Sequence, residues 1–246
     1  MNKNLGAIIL AAGKGKRMNA TAVNKVAMPL ADKPMIVHTI ELLENLQIKN
    51  IVVVVGFAKV SVMNILGQKV RFAEQKKRLG TAHAVLVGMR QMAKDARHII
   101  VLNGDDSAFY KRDLIEKLIE KHLASNAGLT FLTIEKENPF GLGRIIRNSS
   151  GKVSAIVEEK DATKNQQKIK EINPGCYIFN SQFLRKYLPK IKRSEITAEY
   201  YITRIIDIGI KNSERIETLP AGQIPWRGIN TKQELEEAEQ LLRNTK

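Results

Sequence analysis

The first hundred residues alternate short runs of β-branched and apolar residues with amphipathic stretches, and few folds accommodate that pattern. Residues 6–10, 51–55, 70–73 and 98–102 read as buried strands, whereas 34–47, 59–66 and 81–92 read as helices, the first opened by Pro34. Strands joined through helices pair in parallel by right-handed crossovers. The expected fold class is α/β, a Rossmann-like doubly wound mixed sheet. Beyond residue 110 the pattern loosens into a helix at 111–125, strands at 129–134 and 172–179, hairpin-like runs at 144–146 and 153–157, and a helix at 200–210. That predicts a smaller, mixed second lobe. Thr231-Lys232-Gln233-Glu234 is a capping box that opens a last helix running through Leu242.

Sheets of this kind bind ligands beyond the carboxyl ends of their strands. Two such ends carry chemistry. The first strand empties into Leu10-Ala11-Ala12-Gly13-Lys14-Gly15-Lys16-Arg17-Met18, with Lys25 shortly after. Lacking Cβ atoms, Gly13 and Gly15 let the loop take positive φ and turn backbone N–H groups onto phosphate oxygens. Lys14, Lys16, Arg17 and Lys25 add positive charge there. The loop is not a P-loop, because no Gly-Lys-Ser/Thr stands at the required distance, and Met18 occupies the third glycine position of the dinucleotide fingerprint. Taken alone, the glycine pair also fits an ordinary strand-to-helix turn with solvated lysines. The second end is Val101-Leu102-Asn103-Gly104-Asp105-Asp106. Mg²⁺ prefers oxygen ligands and commonly takes one or two carboxylates plus substrate phosphates, which makes Asp105 the metal candidate. Asp106 reads rather as a turn or cap residue.

Composition limits the partners. Forty Lys and Arg against 25 Asp and Glu leave a formal charge of +15, suited to an anionic ligand. The basic residues are scattered, aromatics are only 5%, and no basic helix or interleaved aromatic stripe appears, so no specific nucleic-acid partner is expected. Most of the excess reads as solvated surface, with Arg17, Lys25 and Arg144 the candidates for small anionic substrates. The single cysteine, Cys176, cannot form an internal disulfide and reads as a small buried residue. No apolar stretch approaches a membrane span and the start has no signal-peptide core, so a cytoplasmic protein without a membrane partner is expected.

Further blocks follow in order: Glu74-Gln75, Leu79-Gly80-Thr81-Ala82-His83-Ala84, Gly141-Leu142-Gly143-Arg144, Val157-Glu158-Glu159-Lys160-Asp161-Ala162-Thr163, Glu171-Ile172-Asn173-Pro174-Gly175, Glu199-Tyr200-Tyr201-Ile202-Thr203 and Gly228-Ile229-Asn230. With the glycine loop and Gly104-Asp105 they resemble the sugar-1-phosphate nucleotidyltransferases over nearly the whole chain. The similarity is greatest to the uridylyltransferase domain of the bacterial bifunctional N-acetylglucosamine-1-phosphate uridylyltransferases/glucosamine-1-phosphate acetyltransferases. The resemblance implies the nucleotide-diphospho-sugar transferase (GT-A-like) form of the fold. A nucleotidyltransferase domain would span 1–230, with a nucleotide-binding half to about 110 and a sugar-phosphate half beyond it, followed by a helix at 231–246.

The same resemblance implies roles for single residues. Leu10, Ala11, Ala12, Gly13, Gln75, Gly80 and Thr81 would hold the uracil and ribose of UTP. Arg17 and Lys25 would act on the triphosphate and the attacking sugar phosphate, and Asp105 and Asn230 would ligate Mg²⁺. Gly143, Glu158, Asn173, Tyr201 and Thr203 would recognise N-acetylglucosamine 1-phosphate. No protein nucleophile or proton shuttle is needed, because the attacking phosphate is already an anion. His38, His83, His98 and His122 accordingly need no catalytic role.

The sequence departs from the family pattern at Lys16, Asn24, Asn103, Asp106-Ser107 and Arg204, where threonine, proline, an aromatic, an apolar-Pro pair and aspartate are usual. The phosphate and metal groups are untouched. Hexapeptide repeats do not occur in the 246 residues, so acetyl transfer is not expected. Another sugar 1-phosphate such as glucose 1-phosphate, another nucleotide, or a non-catalytic sugar-nucleotide or nucleic-acid binding role on the same fold stand as alternatives.

Overall fold

The computed structural model describes residues 4–18, 22–222 and 224–243, so the last three positions of the expected 231–246 helix lie outside the described residues. Twelve strands are present among them: β1 (Leu5–Ala11), β2 (Pro29–Leu30), β3 (Lys33–Pro34), β4 (Asn50–Val55), β5 (Arg71–Glu74), β6 (His98–Asn103), β7 (Leu129–Glu135), β8 (Gly143–Arg147), β9 (Val153–Val157), β10 (Glu171–Asn173), β11 (Tyr177–Asn180) and β12 (Ile216–Pro220). The helices are α1 (Met35–Asn45), α2 (Lys59–Leu66), α3 (Thr81–Met89), α4 (Arg112–Ser125), α5 (Lys164–Gln167), α6 (Ser181–Tyr187), α7 (Arg204–Lys211) and α8 (Lys232–Arg243).

Ten strands form one sheet in the order β5-β4-β1-β6-β11-β7-β10-β8-β9, with β12 paired to β7. The β5, β4, β1 and β6 neighbours are parallel, as the alternating sequence requires, and β12 runs parallel to β7. The remaining pairs are antiparallel, which makes the sheet mixed: parallel from β5 to β6 and antiparallel from β6 through β11 to β9. Period-two alternation explains why helices cover both faces. Leu5, Ala7, Ile9 and Ala11 of β1, with Ile51, Val53 and Val55 of β4, pack in one core with residues of α1, α2, α4 and α8. Ile8, Val52, Val54, Ile99 and Val101 face the other core, closed by α3, α6 and α7. Among the described residues no helix is long and apolar enough to cross a membrane.

Two expected elements differ. The strand expected at 172–179 is broken at Pro174-Gly175-Cys176: β10 pairs with β7 and β8, and β11 with β6 and β7. Pro174 has no N–H to donate, and Gly175 takes a left-handed φ of 85°, with the Asn103 side chain where a Cβ would stand. The helix expected at 200–210 begins only at Arg204. The preceding residues run alongside the Gly80 loop instead: Tyr200 N donates to Leu79 O at 2.8 Å, and Tyr200 O accepts from Ala82 N at 2.8 Å. Those backbone bonds replace the helical ones. The β2–β3 hairpin, α5, α6 and β12 had no separate sequence signal.

His122 of α4 lies buried against the sheet. Its ring nitrogens meet Thr130 Oγ1 at 2.9 Å and His98 Nδ1 at 3.0 Å. Burial lowers the His122 pKa from the ordinary value to about 4, with the neighbouring His98 adding to the effect. A histidine held neutral in the folded state contributes stability that is full above its unfolded pKa and lost as pH falls towards the folded one. Thermal and urea unfolding should therefore show a loss of about 2 kcal/mol between pH 7.5 and pH 5 from this residue. In H122Q that part of the pH dependence should vanish; a variant with the full native loss would assign it elsewhere.

Candidate active site

The carboxyl ends of β1 and β6 are tied together, because Gly104 N donates to Leu10 O at 3.1 Å. Beyond them lies a cavity of about 280 Å³. Of the residues singled out from the sequence, Leu10, Thr81, Asp105, Gly143, Glu158, Asn173, Tyr201, Thr203 and Asn230 line it. Residues from widely separated elements thus converge at one place.

Asp105 follows β6, and Asn230 sits just before α8. The expected capping box is formed: Glu234 N donates to Thr231 Oγ1 at 3.1 Å, and Glu234 Oε2 accepts from Thr231 N at 2.9 Å and from Asn230 N at 2.7 Å. The cap fixes the backbone that carries the Asn230 side chain. Between the two stands Lys25, whose ammonium donates to the Asp105 carboxylate, to Asn230 Oδ1 at 3.0 Å and to Ile229 O at 2.6 Å. Two side-chain oxygens of hard character therefore surround a point that holds positive charge, as a Mg²⁺ site needs. Among the described residues no group of three or more His, Cys, Asp or Glu could hold a metal by itself, so substrate and water oxygens would have to complete the shell.

Asp106 does not join this point. It is buried, its Oδ2 accepts from Asn103 Nδ2 at 3.1 Å, and its Oδ1 has no partner among the described residues. Burial pushes its carboxyl well above the ordinary carboxylate range, and the neighbouring Asp105 charge pushes the same way. Glu158 is also raised, chiefly by burial, while a 2.8 Å hydrogen bond from Thr203 Oγ1 opposes the shift. Asn173 donates to the Tyr177 hydroxyl and accepts from Gly175 N at 3.1 Å, and Tyr201 donates to Thr197 Oγ1 at 2.8 Å.

The other singled-out residues stand outside the cavity lining. Ala11 and Ala12 are buried at the end of β1, while Gly13 and Arg17 are exposed in the loop and its short turn, Lys16–Met18. Only Gly15 of the glycine pair takes positive φ, 59°, so Gly13 is not required for a left-handed turn. An added Cβ at Gly13 would meet nothing within 4 Å, which leaves its backbone face open. Gln75 is buried, and its amide nitrogen donates to Gly80 O at 3.1 Å and lies 2.9 Å from His83 Nδ1. Burial lowers the His83 pKa, so the neutral ring can accept that bond and hold the amide.

Three departures from the family pattern acquire physical reasons. Asn24, almost fully buried, donates from one amide to Ala11 O, Gly13 O and Phe57 O at 3.0, 3.3 and 2.7 Å and so staples the glycine loop. Arg204 pairs with Asp161 at 2.7 Å, bracing the turn that follows Glu158. Asn103, held by Asp106, lines the cavity with it. Arg144, expected among the candidates for an anionic substrate, is instead inside the protein, paired with Glu159 at 2.7 Å. Its strand position gave no sign of this, because only β8 packing on the Glu159 turn brings the carboxylate in. Leu142, Tyr177, Trp226 and Gly228 also line the cavity. Leu142 and Gly228 belong to blocks read from the sequence, and Tyr177 and Trp226 each stand two positions from such a block.

Known proteins share this architecture and sequence. The structure superposes on a provisionally assigned glucose-1-phosphate thymidylyltransferase from Bacillus anthracis, solved with sucrose, with a TM-score of 0.80 over 98% of this chain and 96% of that one; at 23% identity the likeness is one of fold. The chain is 44% identical over 246 residues to the bifunctional protein GlmU of Caldicellulosiruptor saccharolyticus, covering 99% of this chain and 53% of the relative. It is 40% identical over 212 residues to the GlmU of Carboxydothermus hydrogenoformans, covering 86% and 47%. The chain thus spans about half the length of these relatives. The family model for nucleotidyl transferases matches residues 6–245, and with the relatives above it shows that this chain belongs to the nucleotidyl transferase family.

Proposed function

We propose that this protein transfers the uridylyl group of UTP to N-acetylglucosamine 1-phosphate, giving UDP-N-acetylglucosamine and pyrophosphate. The observation that carries the reading is the convergence on one cavity of Asp105 and Asn230 with Glu158, Asn173 and Thr203. A phosphate oxygen of the sugar phosphate attacks the α-phosphorus in line; the new P–O bond forms as the bond to the β-phosphate breaks, and no proton moves. The chain's task is alignment and charge neutralisation. Leu10 to Gly13, Gln75, Gly80 and Thr81 hold the nucleoside, while Arg17 and Lys25 meet the phosphates. Gly143, Glu158, Asn173, Tyr201 and Thr203 hold the sugar. A divalent ion, Mg²⁺ by ligand type, would be held by Asp105 and Asn230 and would supply neutralisation of charge on the phosphate oxygens.

One observation favours a second sugar. Asn103 and Asp106 stand where the family pattern has an aromatic and an apolar residue, and they make that part of the cavity wall polar. The deciding experiment measures pyrophosphate release with Mg²⁺, crossing UTP, CTP, dTTP, ATP and GTP against N-acetylglucosamine, glucosamine and glucose 1-phosphates. The highest kcat/KM is expected for UTP with N-acetylglucosamine 1-phosphate. A higher value for another pair would move the substrate, and no release with any pair would remove the enzymatic reading.

A further inference from the structure

The position between Asp105 and Asn230 already holds a cation that belongs to the chain. An ammonium has three donors, and those of Lys25 meet the Asp105 carboxylate, Asn230 Oδ1 and Ile229 O. The Lys25 and Asp105 side chains are only 13% and 15% exposed, so solvent does little of the work of satisfying them. An ion ligated by the same two side-chain oxygens would stand within a few ångströms of the ammonium, where their repulsion is large. Both cannot occupy the point.

We propose that Lys25 is a built-in competitor for the metal. In the free protein its ammonium fills the cation position, and a divalent ion binds between Asp105 and Asn230 only by expelling it. The inference rests on the reading of those two residues as metal ligands. It also gives Lys25 a moving role, because the expelled side chain is released towards the substrate phosphates at the moment the metal arrives. The turn Lys25–Ala27 need not shift with it. Its Asn24 cap is anchored by bonds to Ala11, Phe57 and Ser61 that do not involve the lysine side chain. Reciprocity follows: a phosphate ligand that captures the freed ammonium tightens metal binding by the same factor by which the metal tightens phosphate binding.

Two measurements test this without turnover. The first titrates Mn²⁺ into nucleotide-free protein and follows the free ion by its paramagnetic resonance signal. K25M should bind Mn²⁺ at least about tenfold more tightly than the native protein, and D105N in the K25M background should abolish binding. Equal or weaker binding in K25M, with D105N still abolishing it, overturns the competition alone. Undiminished binding in the double variant overturns the ligand reading and the competition with it. Loss of a nearby charge by itself would also tighten Mn²⁺, so the second measurement keeps the native lysine. A short pulse of acetic anhydride, read by mass spectrometry, should label Lys25 several-fold faster when Mg²⁺ alone is added at constant ionic strength, with the exposed Lys152 unchanged. Labelling of Lys25 that is unchanged or slower overturns the proposal.

Discussion

Replacing Asp105 by alanine is expected to lower nucleotidyl transfer about a thousandfold while leaving the fold intact. The size follows from what the carboxylate would do: it is the one charged side chain of the two assigned to the metal, and its loss would leave a neutral amide as the remaining protein ligand. The fold should survive because the partner it leaves behind keeps company. Lys25 retains the Ile229 carbonyl and Asn230 Oδ1, so no buried ammonium is stranded. The same change removes a negative charge that pushes the Asp106 carboxyl upward, which offsets part of the lost ion pair. Single-turnover kinetics with saturating UTP, together with thermal unfolding, read both halves. Activity within a few-fold of native would strike Asp105 from the metal ligands. A collapse of the unfolding midpoint would mean that the Lys25–Asp105 contact is principally structural.

What could be read from the chain and what could not divide along a physical line. Local rules sufficed where neighbours in sequence decide the outcome. The alternation across Ile51-Val52-Val53-Val54-Val55 placed a strand with two buried faces, and Thr231 with Glu234 fixed the start of α8 and hence the site of Asn230. They failed where a distant backbone competes. Tyr200-Tyr201-Ile202-Thr203 carries no helix breaker, yet its peptide groups are taken by Leu79 and Ala82, more than a hundred residues away in the chain. Asn24 stood out only as a departure from a family pattern. Its work, three carbonyls gathered by one amide, depends on Phe57 and exists only in three dimensions. Arg144 and Lys25 show the same limit for charge. Sequence marks both as cations near phosphate chemistry, but burial against Glu159 commits one to structure, while the other pairs with Asp105 at the cavity edge.

Changing Gly80 to alanine should be the most damaging single-methyl substitution in the chain, costing about 3 kcal/mol or more and lowering the unfolding midpoint by roughly 6–12 °C. Two causes act together. Gly80 holds φ at 104°, a conformation that an L-residue adopts with strain, and an added Cβ would stand 2.5 Å from Tyr200 O and 2.7 Å from Tyr200 N. Those atoms are backbone and cannot turn aside. Relief requires the 79–82 and 200–202 segments to separate, which breaks Tyr200 N to Leu79 O, Ala82 N to Tyr200 O and the 2.9 Å bond from Ile202 N to Thr81 Oγ1. The damage should then reach the chemistry, since Tyr201 and Thr203 line the cavity and Thr203 holds Glu158. We expect G80A to raise KM for the sugar phosphate as well as to destabilise, and G13A, which has open space around its Cβ, to leave the unfolding midpoint near native. A G80A protein as stable as the native one would mean that the two segments part without cost, and the cavity wall at Tyr201 would then have to be regarded as mobile.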